Sequence, residues 1–96
     1  MSPRLDLRAT WALITALIGP SKKRSPVRVI FLSYRIQERL YRWAQAQGVS
    51  EHRLKWLFQY PHGNRALRGI IRHASGHWAH MHVRFKCPVD SKGCSG

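Results

Sequence analysis

Acidic residues are scarce in this 96-residue chain, where four Asp and Glu stand against 17 Lys and Arg and the formal net charge is +13 with neutral histidines. A charge of this sign disfavours basic partners and favours polyanionic ones. Nucleic acid, an anionic cell wall and an acidic lipid surface all meet that requirement. The charge therefore narrows the class of partner without selecting among these three.

Long apolar runs are also missing, because no segment approaches the roughly 20 apolar residues of a membrane-spanning helix, and we predict no transmembrane segment. The apolar stretch at residues 11–18 lacks a following small-residue cleavage site, so we predict a core helix there rather than a secretion signal. No internal repeat is present. The hydrophobic share of 44% is typical of a globular chain, whose length fits one small domain or part of a larger one.

Cysteine is limited to Cys87 and Cys94, both within the last ten residues. The residues between them favour turns, so the two cysteines could close a small disulfide loop. Neither has the close cysteine partner of a zinc knuckle, which excludes that motif. If the bridge forms, it indicates an oxidising compartment.

Hydrophobic periodicity predicts a helix over residues 7–18, capped by Asp6, and a central strand over residues 27–33 with two apolar faces. A second helix follows from about residue 36 and ends at Gly48, and Ser50 caps a shorter third helix. Periodicity is lost from about residue 59 to 76, where turn residues indicate a long loop. A last strand is predicted at about residues 79–86.

Four of the six histidines lie between residues 73 and 82. In a strand, alternate side chains share a face, so we predict His80, His82 and Arg84 on one face. The opposite face should carry the apolar Met81, Val83 and Phe85. Two imidazoles two residues apart on a strand can divide a task, since one can bind a metal while the other handles a proton.

Surface histidines on an amphipathic edge strand are the simpler interpretation of a lone His-x-His pair. Here His77 extends the pattern to His-x-x-His-x-His. The whole string over residues 76–88, Gly-His-Trp-Ala-His-Met-His-Val-Arg-Phe-Lys-Cys-Pro, resembles the C-terminal signature of penicillin-insensitive murein endopeptidases. These belong to the zinc peptidases that include lysostaphin-type and D-Ala-D-Ala peptidases. The Cys-bounded loop at residues 87–94 is similar too, and the elements before the signature are similar more loosely.

The resemblance implies a zinc metalloendopeptidase that hydrolyses D-amino-acid peptide cross-links of peptidoglycan in the periplasm or outside the cell. By motif position, His82 would be the zinc ligand and His80 the catalytic histidine beside the zinc-bound water. His77 would lie at the edge of the site, orienting substrate or stabilising the oxyanion. Zinc with an open coordination position lowers the pKa of water to about 7 and polarises the scissile carbonyl.

Two departures from the family pattern affect this interpretation. Trp78 and Ala79 stand where family members often have acidic or amide residues, which orient metal-binding imidazoles. The family also uses an upstream His and Asp seven positions apart, and no histidine here is followed by Asp at that spacing. We therefore expect the 96 residues alone to bind zinc weakly and to hydrolyse little peptidoglycan.

The sequence thus predicts an α+β fold in which two or three helices cover a small, mostly antiparallel sheet. Residues 1–96 would form a single, partial catalytic domain, which corresponds to the C-terminal part of a zinc peptidase. This prediction holds both for a truncated gene and for a partial sequence. One alternative is a small basic nucleic-acid-binding protein that uses Lys22, Lys23 and Arg24 on phosphates, which we disfavour because no binding motif is recognisable. The other is a non-catalytic remnant of the peptidase that folds without doing chemistry.

Overall fold

The computed structural model describes residues 6–74 and 81–87. Their elements follow in the order α1 (Leu7–Ile18), β1 (Val27–Phe31), α2 (Tyr34–Ala46), α3 (Glu51–Leu57), β2 (Ile71–Arg72) and β3 (His82–Phe85). The combination of helices with one small sheet confirms the predicted α+β class.

Side-chain caps begin each of these helices. The Asp6 carboxylate accepts a hydrogen bond from the Ala9 N–H at 2.9 Å, and the Ser50 hydroxyl accepts one from the Arg53 N–H at 3.2 Å. Both caps are the ones predicted. At the end of α2, Gly48 has a φ of 91°, the left-handed conformation that glycine adopts at little cost. These signals predicted the starts of α1 and α3 and the end of α2, whereas α2 begins at Tyr34, capped by Ser33, about two residues before the predicted start.

The sheet has the strand order β2-β1-β3, so β1 is central as predicted. Strand β1 pairs with β3 in antiparallel orientation and with β2 in parallel orientation. The prediction of a mostly antiparallel sheet therefore needs one correction, because one of the two strand pairs is parallel. Helices α2 and α3 lie between β1 and β2 in the chain and form the long crossover that a parallel pair requires.

Strand β2 lies inside the segment predicted to be a loop, at residues 59–76. It has only two residues, too few for alternation to reveal it. Its position depends on distant backbone groups: the Ile30 N–H donates to the Ile70 carbonyl at 2.8 Å, and the Leu32 N–H donates to the Arg72 carbonyl at 2.8 Å. Residues 70–72 of the predicted loop are thus held in place by pairing with β1.

The core lies between the three helices and one face of the sheet. It is formed by buried apolar residues from every helix, from β1 and β2 and from the segments beside them: Ile14, Ile18, Val27, Ile30, Leu32, Leu40, Ala44, Leu54, Leu57, Phe58, Ile70 and Ile71. Trp11 stacks on Phe58 with ring centroids 6.3 Å apart. The predicted apolar stripe of α1 is therefore confirmed as its buried face.

Candidate functional site

Of the three predicted site histidines, His82 lies within the described residues, whereas His77 and His80 lie outside them. His82 is the first residue of β3, is half-buried and has its Nε2 shielded from solvent. In the antiparallel ladder it pairs directly with Phe31. Directly paired residues share a face of the sheet, so the side chains of His82 and Phe31 lie on the same side.

The same register places three more residues on that face. Phe31 pairs with Arg72 of β2, and Val29 of β1 pairs with Arg84 of β3. Because residues two apart along a strand also share a face, these residues and His82 form one surface. We name it the outer sheet face: Val29, Phe31, Arg72, His82 and Arg84. It gathers a candidate metal ligand, an aromatic ring and two cations from three strands.

The opposite side of β3 faces the core. Met81 and Val83 pack against the core, which confirms the predicted alternation for this pair. Phe85 was predicted to join them, yet it is 50% exposed. It pairs with Val27 beyond a β-bulge in β1, at the last residue of its strand, where the ladder is irregular.

The two arginines of the outer sheet face are held by neighbours that carry no charge. The Arg84 guanidinium lies 5.2 Å from the centroid of the Phe31 ring, a cation–π contact. The Nε of Arg72 donates to the Gly69 carbonyl at 2.8 Å. Among residues 6–74 and 81–87, no carboxylate pairs with either guanidinium.

Two cavities border this face and share Phe31 and Arg72 as walls. The smaller has a volume of about 160 Å³, and its described lining is Arg28, Val29, Phe31, Arg72 and Arg84. The larger has a volume of about 350 Å³ and is lined by the two shared residues, by Gln59 and His73, and by residues 64–67. We call the two cavities together the groove; they border the sheet face that carries His82, which is not among their described lining residues.

His73 is a wall residue to which the sequence assigned no role. Its Nδ1 accepts a hydrogen bond from the Tyr34 N–H at 3.1 Å, and its own N–H donates to Oε1 of Gln59 at 2.8 Å. A neutral imidazole that accepts at Nδ1 carries its proton on Nε2, so the second ring nitrogen is a donor. In the sequence, the only indication of a role for His73 was its place within the histidine-rich stretch. The residues that position it, Tyr34 and Gln59, are 39 and 14 positions away along the chain.

Two buried amides hold this wall in place. The Nε2 of Gln37 donates to the Leu32 carbonyl at 3.0 Å and to Oε1 of Gln59 at 3.1 Å. The Nε2 of Gln59 in turn donates to the Ala66 carbonyl at 2.9 Å. The network connects α2 with the loop that carries the larger cavity and with His73. A satisfied buried network of this kind fixes one conformation.

We expect Gln59→Leu to lower the free energy of unfolding by about 3 kcal/mol, because the His73 N–H and the Ala66 carbonyl lose their partners while buried or half-buried. The side chain is 2% exposed, so water cannot replace the lost bonds without rearrangement. Urea unfolding measures the change. Gln45→Leu, at an exposed position of α2, is the matched control and should change stability by no more than about 0.5 kcal/mol. Equal effects of the two substitutions would contradict the role given to the network.

Zinc does not fit the described residues taken alone. A catalytic zinc site uses three protein ligands and an open position. Residues 6–74 and 81–87 contain no group of three His, Cys, Asp or Glu side chains that could hold a metal ion. His52 and His62 are exposed and are not among the described lining residues of either cavity, and His73 already accepts a hydrogen bond at Nδ1. His82 is thus the single predicted ligand in this part of the chain.

A family model that describes penicillin-insensitive murein endopeptidases matches residues 49–96, which is half of the chain. The chain belongs to this family of murein endopeptidases. No curated protein and no solved structure matches it. The matched segment contains α3, β2 and β3 together with all three predicted site histidines.

Membership in the murein endopeptidase family confirms the resemblance read from residues 76–88 and makes peptidoglycan the implied substrate. The match begins at residue 49, so the looser likeness of the earlier elements stays a prediction. Among the described helices, none is long and apolar enough to cross a membrane.

Proposed function

We propose that this chain is part of a zinc-dependent endopeptidase that cleaves D-amino-acid peptide cross-links of murein in the periplasm or outside the cell. In this proposal residues 1–96 are one partial catalytic domain. His82 is a zinc ligand, His80 is the catalytic histidine and His77 orients substrate or stabilises the oxyanion. The observation that carries the proposal is the position of His82. It lies on the outer sheet face, where it pairs with Phe31 of the neighbouring strand, and it belongs to the family-matched segment.

The groove supplies what a peptide substrate needs. An extended peptide requires donors and acceptors along its backbone and apolar walls for its side chains. The larger cavity offers the amide of Asn64, the imidazole of His73 and the apolar Leu67, which is 87% exposed. Phe31 and Arg72 line both cavities, so this binding region shares two walls with the smaller cavity, which Arg84 also lines. These residues support a peptide-binding role for the sheet face that carries His82.

Zinc is the cofactor that the family resemblance implies, and His82 would hold it from this part of the chain. The remaining ligands would come from outside the described residues. The net charge of +13 supports a wall substrate, because a polymer rich in carboxylates attracts a strongly basic protein.

The proposal includes a disulfide bridge between Cys87 and Cys94. The absence of free cysteines among the described residues supports it, as does the position of Cys87 directly after the strand region, where it is half-buried. Such a short loop would stabilise the fold by about 2 kcal/mol. Thiol titration of the denatured, oxidised protein should detect no thiols, and two after reduction. Two reactive thiols under oxidising conditions would contradict the bridge.

The test of the proposed function uses a family endopeptidase in which residues 49–96 replace its own matching C-terminal segment. We expect the chimera to convert cross-linked muropeptides of purified murein to monomers, as measured by chromatography, and to lose this activity in EDTA. The same host enzyme without any C-terminal segment is the control for residual activity. A folded chimera that releases no monomers would favour the non-catalytic remnant instead.

A further inference from the structure

Arg72 and Arg84 form an arrangement that the proposed chemistry leaves unused. They come from the two strands that flank β1, and both line the cavity of about 160 Å³. Arg84 is fixed over the Phe31 ring and Arg72 is fixed through its Nε to the Gly69 carbonyl. Guanidinium groups that are held in advance lose little conformational entropy when they bind an anion.

None of the acidic residues in the described part of the chain pairs with these arginines. Asp6 caps α1, Glu38 lies 3.7 Å from Arg42, and Glu51 belongs to the first turn of α3. Neither arginine therefore forms a structural ion pair with Asp6, Glu38 or Glu51. Two fixed guanidinium groups that face one cavity, which Arg28 also lines, form the arrangement expected of an anion-binding site.

The volume of the cavity limits the size of the anion, and the arginines that line it favour a carboxylate. A volume of about 160 Å³ leaves room for a carboxylate and a small side chain. Val29 and Phe31 supply apolar walls for that side chain. The arginine fork matches the two oxygens of a carboxylate, which it binds with paired hydrogen bonds.

We propose that Arg84, together with Arg72, binds a free carboxylate of the peptide substrate close to the bond that is cut. Arg84 lies two residues beyond His82 on the same face of β3, about 7 Å along the strand. An extended peptide covers that distance in about two residues. The subsite therefore selects peptides with a carboxylate on, or next to, a residue that flanks the scissile bond. This inference rests on the proposed function.

The test compares N-acetyl-D-alanine with its amide as probes for the 96-residue protein, by NMR titration at low salt. We expect the acid to shift the backbone signals of Phe31 and Arg84 and to bind at least about tenfold more tightly than the amide, because only the acid offers a charged oxygen pair. Arg84→Gln should remove that preference. Arg84 is exposed, so this substitution leaves the fold intact. Arg84→Lys should restore only part of the preference, since lysine lacks the planar fork.

Arg35→Gln is the matched control, because it removes the same charge from an exposed position of α2. It should change affinity for the acid by less than about twofold. Equal affinity for the acid and the amide would contradict the subsite. An equal loss of affinity for the acid in Arg35→Gln and Arg84→Gln would also contradict it and would assign the binding to net charge. The chimera separates the two proposals. If the 96-residue protein binds the acid selectively but the chimera does not cleave murein, the subsite is supported and the peptidase function is contradicted. If the chimera cleaves murein but the acid is not bound selectively, the peptidase function is supported and the subsite is contradicted.

Discussion

His82→Ala, introduced into the chimera that carries residues 49–96, is expected to lower the rate of cross-link cleavage by about 100-fold or more. Substitution of groups that merely support a metal ligand already costs about 10- to 100-fold in metal affinity or activity, and removal of the ligand itself should cost at least as much. Chromatography of released muropeptides measures the rate.

His52→Ala provides the control for this substitution, because it is the same change at an exposed residue of α3 within the family-matched segment. It should retain nearly all activity. Bound zinc, measured by atomic absorption after gel filtration, should fall in His82→Ala and stay constant in His52→Ala. If the His82 variant kept its zinc and its cleavage rate, another residue would have to be the ligand and the assignment would be wrong.

Gly69→Ala is expected to destabilise the fold by about 2 to 5 kcal/mol, which is a large part of the stability of a small domain. Gly69 has a φ of 84°, where an L side chain costs about 1 to 2 kcal/mol. An added Cβ would also overlap the backbone of Phe58 and Gln59, and overpacking costs a further 1 to 3 kcal/mol or so. The overlapping atoms belong to the backbone and cannot rotate away, so the β2 segment must move.

Gly48→Ala separates strain from overlap. Gly48 has a similar φ of 91°, but an added Cβ would meet nothing within 4 Å. We expect it to cost only about 1 to 2 kcal/mol. Urea unfolding of the two variants gives the comparison, and the NMR signals of the Arg72 side chain should change in Gly69→Ala alone. Equal destabilisation of the two variants would show that the close approach of Gly69 to the Phe58 backbone contributes nothing.

Local features of this protein were predictable from the sequence. The Asp6 and Ser50 caps, the buried stripe of α1 and the inward positions of Met81 and Val83 all follow from neighbours within about four residues. The histidine string also carried the family assignment, which the match to residues 49–96 confirms. The assignment worked because a signature is read from consecutive residues.

The components of the groove were not predictable in the same way. Strand β2 has two residues and exists through hydrogen bonds between β1 and a segment about 40 positions later in the chain. That pairing places Arg72 beside Phe31, and the buried amides Gln37 and Gln59 fix the position of His73. Sequence patterns indicate interactions between residues that are close in the chain, so they did not reveal these contacts between distant segments.

The sequence by itself therefore determined the helices, the inward positions of Met81 and Val83 and the family, because each depends on periodicity or on a contiguous motif. The tertiary structure decided the parallel pairing of β1 with β2 and the gathering of Arg72, Arg84 and Phe31 on one face with His82. Those contacts join segments that are far apart in sequence, and their register is set by the packing of the whole core against one side of the sheet.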